Sequence, residues 1–285
     1  MRIVGAVTEG HLATAFEALI AEAERRPTSG WDFSWLGERM TTSPLPWDLA
    51  ELVAERARSA RDMLDLGTGG GEWLAGLPAR APHTVATEAW EPNLSVARAR
   101  LGPLGIDVVR VEGAPDNAKQ RYGERGGDLP FEDGSFDLVT SRHESFVATE
   151  IARVLRPAGV FMTQQLGDGV FREVNELLGA EVPRQQRWHL ALAVDQVERA
   201  GLTVTRSAEG EQDVTFADVG ALAWYLRMTP WTVRDFSIDR YRDRLRRLDE
   251  EIRAKGPITV ALPGFLLEAV KGRAGRPGQP KRPVT

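Results

Sequence analysis

Apolar residues along the chain switch between two spacings, and the switching predicts alternating helices and strands. Residues 12–25 are rich in Ala and Glu, with apolar positions at Phe16, Leu19 and Ile20 that suit an amphipathic helix. A second helix is predicted over 48–60. Between the two, Trp31, Phe33, Trp35, Leu36 and Trp47 stand among Gly, Pro and Ser. That loop is too aromatic to be left in water, so it is expected to fold over something. From Met63 onward, short apolar runs of strand length recur at 63–66, 84–87, 107–111, 136–140, 159–163 and 202–205. Helical stretches are predicted at 94–101, 147–155 and 194–200. Strands alternating with helices imply βαβ units and a mainly parallel sheet. Two insertions interrupt the alternation, at about 113–130 and 206–257. In the second, Leu222, Trp224, Tyr225 and Leu226 follow a helical pattern, and Tyr241, Leu245 and Leu248 form the apolar stripe of another helix.

At 285 residues the chain exceeds the roughly 150 typical of one domain, yet single α/β domains reach this length. The pattern divides it into N-terminal helices and an aromatic lid (1–60), a main domain (61–271) with 206–257 as a substrate cap, and a tail (272–285). The tail is charged and Pro/Gly-rich, the composition of a disordered end. The absence of cysteine rules out disulfides and thiolate metal sites, and no other metal site is expected. No stretch approaches the roughly 18 apolar residues of a membrane span. A cytoplasmic protein without a membrane partner is the expectation. The net charge of −5 argues against a nucleic-acid partner, because such proteins neutralise phosphates with basic surface.

The most informative stretch is Asp65-Leu66-Gly67-Thr68-Gly69-Gly70-Gly71-Glu72, a predicted strand running into a glycine turn and then a helix near Trp73. Glycines let the backbone bend sharply and approach a ligand closely. A dinucleotide fingerprint would place a third glycine at position 72, with pyrophosphate on the helix N-terminus. Glu72 stands there instead and would repel a phosphate. No Lys-Ser/Thr pair follows, so the turn is not a P-loop. Glu88 ends the second predicted strand, 19 residues beyond Gly69, where an acid accepts hydrogen bonds from ribose hydroxyls. A ribose without pyrophosphate and a tolerance for nearby acid describe S-adenosylmethionine.

Four segments, Leu64–Glu72, Val85–Glu88 with Pro92-Asn93, Leu129–Val139 and Val154–Phe161, together resemble the class I S-adenosylmethionine-dependent methyltransferases, in particular the methyltransferase type 11 group. The resemblance covers about residues 60–205. It implies an α/β, Rossmann-like sheet of seven strands in the order 3-2-1-4-5-7-6, strand 7 antiparallel, with helices on both faces. Phe265–Lys271 is the candidate for that last strand. It also implies that Asp65, Gly67, Thr68 and Gly69 hold the methionine end of the cofactor and Glu88 the ribose. Ala89 and Trp90 would line the adenine, and Ser141 would face the sulfonium. The chain departs from the family after strand 3, where an inserted loop separates Gly113–Asn117 from Leu129. The adenine contact falls to the Ala114 backbone, Asp116 or Asp128.

Strand 4 ends in Thr140-Ser141-Arg142-His143-Glu144-Ser145, a polar cluster at the end of the sheet where ligands sit. His143 suits a general base at neutral pH, and Glu144 can orient it or bind a substrate amine. The same three side chains, Arg142 included, can equally cap and tie down the next helix. Trp35, Arg142 and Trp231 are the candidate substrate contacts, since pockets for small ligands are mostly apolar with a few polar anchors. The expected function is O- or N-methylation of a small organic molecule such as a natural product, releasing S-adenosylhomocysteine, by a monomer or homodimer. Competing readings are an RNA methyltransferase, a protein that binds S-adenosylmethionine without transfer, and a nicotinamide oxidoreductase, which Glu72 disfavours.

Overall fold

The computed structural model describes residues 4–28, 32–120, 127–170, 172–182 and 188–272, with side chains from residue 14 onward. Helix α1 (Val4–Arg25) leads through a 3-10 turn (Ser34–Arg39) to a short strand, β1 (Met40–Thr42), and helix α2 (Leu49–Ala57). Strand β2 (Asp62–Leu66) and the one-turn helix α3 (Glu72–Ala75) bracket the glycines. Then come β3 (His83–Glu88), α4 (Glu91–Leu101), β4 (Asp107–Arg110), β5 (Phe136–Arg142), α5 (Ala148–Val154) and β6 (Leu155–Leu166). The chain continues through α6 (Arg172–Leu178), α7 (Leu190–Arg199), β7 (Leu202–Phe216), α8 (Val219–Met228), α9 (Ile238–Lys255) and β8 (Ile258–Lys271). Trp31 and the expected tail beyond residue 272 lie outside the described residues.

Among the described residues the strands form one sheet in the order β4-β3-β2-β5-β6-β8-β7-β1. The first five run parallel, and β8 runs antiparallel to both β6 and β7. Counted from β2, this is the expected 3-2-1-4-5-7-6 order, with the Phe265–Lys271 run inside the antiparallel strand β8. Two details differ. The sheet has an eighth strand, because β1 pairs with the end of β7, Met40 opposite Phe216. Residues 206–216, expected in the insertion, instead prolong β7, which pairs with β8 from Leu202 opposite Lys271 to Phe216 opposite Ile258.

Alternation along the central strands builds two of the three cores. Leu64, Val139, Phe161 and Leu267 face a core shared with Phe146 and Ile151 of the β5–α5 segment and Val197 of α7. Met63, Leu138, Met162 and Leu266, one residue out of step, face the other side with Val53 of α2 and Leu94 of α4. A period of two on buried strands thus covers both faces of the sheet. The third core is the cap. Phe16 and Ile20 of α1, Trp224 of α8 and Leu245 and Leu248 of α9 close on Val214 and Phe216 at the far end of β7. Arg39 ties the aromatic segment to this cap through two hydrogen bonds to Asp218, 2.7 and 2.8 Å long. Asp218 also accepts from Ala221 N at the start of α8. Burial alone would raise its pKa, but the Arg39 guanidinium holds it below the usual value.

The parallel strands diverge at β2 and β5, which lie side by side while β3 leads one way and β6 the other. The crevice beyond their carboxyl ends is where open α/β sheets bind ligands, and the cap stands over it.

Candidate functional site

β2 delivers Asp65 and then the turn. Gly67, Gly69 and Gly71 all take positive φ, at 60°, 63° and 81°. Two of these positions also have no room for a side chain. A Cβ on Gly67 would fall on the Glu144 side chain, and one on Gly71 would approach Leu101 Cγ of α4 to 2.8 Å. The turn is pinned by Thr68 N donating to Thr87 O at 2.9 Å and by Gly69 N donating to Glu88 Oε2 at 2.7 Å. Arg100 of α4 closes it from behind, donating to Gly70 O and pairing with Glu72. The charge of Glu72 is therefore shared with a guanidinium. Arg100 was not legible as part of the site, because its partners lie 28 and 30 residues away.

A cavity of about 560 Å3 opens on this turn, within the roughly 300–1,000 Å3 of small-ligand sites. Asp65, Gly67, Thr68 and Gly69 line one end, and Phe33, Tyr225, Trp231 and Leu262 line the other. Arg142, His143 and Glu144, from the end of β5, stand between them. Glu144 also borders a slot of about 30 Å3 whose walls include Ala89, Gly113 and Ala114. Asp116 and Asp128 line neither space: Asp116 caps Ala118 N and pairs with Lys119 at 2.9 Å. Of the three adenine candidates, Ala114 is the one at the slot.

Four predicted residues sit apart from these spaces. Glu88 is 6% exposed and turned under the glycine turn, where its second oxygen accepts from Trp90 N at 2.8 Å. Trp90 is half-exposed and precedes α4. Ser141 is buried and donates to Glu144 O at 2.9 Å, fixing the bend after β5 instead of facing the cavity. Trp35 packs on Trp224 at 5.1 Å, with Arg26 and Arg39 over its ring; Phe33 takes the place on the cavity wall expected for it.

The electrostatics rearrange the expected roles. Burial raises Asp65 to about 6, against the hydrogen bond from the Thr140 hydroxyl. Burial and the neighbouring Glu88 raise Glu144 to about 7. His143 moves the other way, pushed down to about 3 by the protein around it and by Arg142. Its backbone is held at φ 61°, with its N–H donating to Gln164 O at 2.9 Å. Nε2 lies 3.4 Å from the Gln164 amide nitrogen, and Trp47 Nε1 donates to that amide's oxygen at 2.9 Å. A neutral imidazole with its lone pair facing an amide donor is a poor base, whereas a carboxyl that ionises near neutrality is a good one. Gln164 escaped the sequence reading, and Trp47 was placed only in the aromatic lid, because β6 and the lid meet His143 only in the fold.

The residues present suit S-adenosylmethionine. Asp65 and the open turn meet a zwitterionic amino acid, and Glu88 sets a carboxylate beneath the turn, held by Gly69 N and Trp90 N. The fold is Rossmann-like, with the glycine turn at the carboxyl end of its central strand. Comparison with known proteins agrees. Residues 64–163 match the model of the methyltransferase domain family. A demethylmenaquinone methyltransferase of Clavibacter sepedonicus is 32% identical over 121 residues, 40% of this chain and 44% of that one. The chain therefore spans less than half the length of that curated relative. Two crystal structures share the fold at 19% identity. One is a proposed methyltransferase from Bacillus halodurans, with a TM-score of 0.53 over 78% of this chain and 97% of that one. The other is the YcgJ protein of Bacillus subtilis, with a TM-score of 0.52 over 79% and 98%. Among the described residues no helix is long and apolar enough to cross a membrane.

Proposed function

We propose that the protein methylates oxygen or nitrogen of a small organic molecule, with S-adenosylmethionine as donor. The observation that carries this reading is the single cavity running from the glycine turn to an aromatic wall, with Glu144 between. Bound at the turn, the cofactor would supply an electrophilic methyl group, and S-adenosylhomocysteine would leave. Asp65 and Thr68 hold the amino end, Glu88 the ribose, and Ala89 and Ala114 the adenine side. Phe33, Tyr225 and Trp231 exclude water and position the acceptor, effects that supply much of the rate in a displacement that disperses charge. Glu144 takes the acceptor's proton in place of His143. The Clavibacter relative is named for an organic acceptor, demethylmenaquinone, and not a nucleic acid, which supports an organic acceptor here. Release of S-adenosylhomocysteine in a screen of small acceptors tests it. Binding of the cofactor without turnover of any acceptor would leave a binding protein instead.

Two further results are expected. Glu88→Gln should weaken S-adenosylmethionine binding by about 1–3 kcal/mol through lost charge-assisted hydrogen bonds; unchanged affinity by calorimetry would reject the ribose contact. Cofactor binding should also depend on pH. Asp65 and Glu144 are carboxyls raised by burial, so their protonated forms stabilise the fold at acid pH. That contribution is lost as pH rises through about 6 and 7. A cationic ligand favours the ionised forms, against Glu88 and alongside Arg142 and neutral His143. Affinity for S-adenosylmethionine should therefore rise several-fold between roughly pH 6 and 8, with proton release, and by less for the uncharged sulfur of S-adenosylhomocysteine. Equal pH dependence for the two ligands would contradict the coupling of these carboxyls to the cofactor's positive charge.

A further inference from the structure

We propose that the acceptor is a carboxylate with an apolar body, anchored by Arg142. This rests on the methyltransferase reading for the identity of the cavity and adds the chemical class of its second occupant. Arg142 closes β5 at a neck. It lines the main cavity and also an outer cleft of about 430 Å3 bounded by Pro44, Trp47, Gln164 and Gln212. The guanidinium lies over the Trp73 ring, 6.0 Å from its centroid.

Arg39, Arg56, Arg100, Arg153 and Arg156 each engage a carboxylate. Among the described residues Arg142 makes no ion pair and no side-chain hydrogen bond. Burial works against its charge, with Asp65 opposing that shift from beyond contact distance. Three acids share the cavity with it, and none answers it. Glu72 is taken by Arg100, Asp65 accepts from Thr140 at 2.7 Å, and Glu144 lies against Gly67.

A guanidinium with five donors and no carboxylate partner calls for an anion, and its planar fork fits a carboxylate through two bonds at once. The far wall, Phe33, Met40, Tyr225, Trp231 and Leu262, asks for the opposite chemistry. An anionic head at the neck with an apolar body against the cap satisfies both. The same carboxylate chemistry could come from the amino-acid end of the cofactor. The outer cleft, which Arg142 also faces, contains none of the glycine-turn residues, and this favours the acceptor.

The test is calorimetry on the full chain loaded with S-adenosylhomocysteine. Matched acid and amide pairs are titrated: benzoate and benzamide, indole-3-acetate and its amide, decanoate and its amide. On the wild type at least one acid should bind ten or more times more tightly than its amide. Arg142→Met should abolish that preference, Arg142→Lys should keep part of it, and affinity for S-adenosylmethionine should stay within threefold in both. The proposal is overturned if no acid binds, if amides bind as well, or if the preference survives Arg142→Met. A tenfold loss of S-adenosylmethionine affinity in the variants also overturns it, assigning Arg142 to the cofactor's own carboxylate. Should Arg142→Met not fold, the lysine variant decides. Failure of the methyltransferase reading shows separately, as a wild type that never takes up S-adenosylhomocysteine.

Discussion

Gly67→Ala should cost the protein about a hundredfold or more in affinity for S-adenosylmethionine, while Gly105→Ala leaves that affinity unchanged. Both glycines have positive φ, 60° and 73°, so both substitutions carry a backbone penalty of about 1 kcal/mol or more. They differ in what surrounds them. Nothing lies within 4 Å of a Cβ on Gly105, whereas a Cβ on Gly67 lands on Glu144. Glu144 would have to leave the turn, and the turn would have to shift against Thr87 and Glu88, which hold it in place. The comparison of the two variants by calorimetry and thermal unfolding separates strain from loss of the site. Equal effects on cofactor affinity would mean that Gly67 matters only as a bend.

Trp224→Ala should destabilise the protein by about 3–5 kcal/mol, the range for truncating a large buried aromatic. That corresponds to a Tm lower by on the order of 10 °C for a chain of this size. Trp224 is 2% exposed at the centre of the cap, edge-on to Phe33 at 5.9 Å and tilted against Trp35 at 5.1 Å. Its ring therefore supports the segment that carries Phe33 to the cavity. The glycine turn belongs to the cores on the sheet faces, so cofactor binding at low temperature should survive while acceptor methylation falls. Loss of both together would show that cap and turn fold as one unit and that the cap's role is not confined to the acceptor.

Legibility in the sequence followed how local each signal is. The glycine turn, Glu88 and the β5–α5–β6 segment were readable because each is a short motif with its own backbone demands. The antiparallel strand at Phe265–Lys271 was readable as an apolar run that the family resemblance could place. The length of β7 was not. From Arg206 to Asp213 it is almost wholly polar, and its strand character comes from pairing with β8, more than 40 residues away. β1 is three residues long and exists as an edge for β7. The same limit governed the site. The sequence placed His143 at a strand end, but not the Gln164 amide against its ring or the burial that raises the Glu144 carboxyl. It named Trp35 where Phe33, two residues earlier, lines the cavity, because the turn that points one at the cavity and the other into the cap is set by tertiary packing.

The account stands on the glycine turn and its acids receiving a cationic nucleoside in place of a pyrophosphate. Titration calorimetry of the purified protein with S-adenosylmethionine, S-adenosylhomocysteine and NAD+ tests this most directly. One-to-one binding of S-adenosylmethionine, displaced by S-adenosylhomocysteine and absent in Gly67→Ala, with no binding of NAD+, is the predicted result. No heat with S-adenosylmethionine, or saturable binding of NAD+ at the same turn, would contradict it.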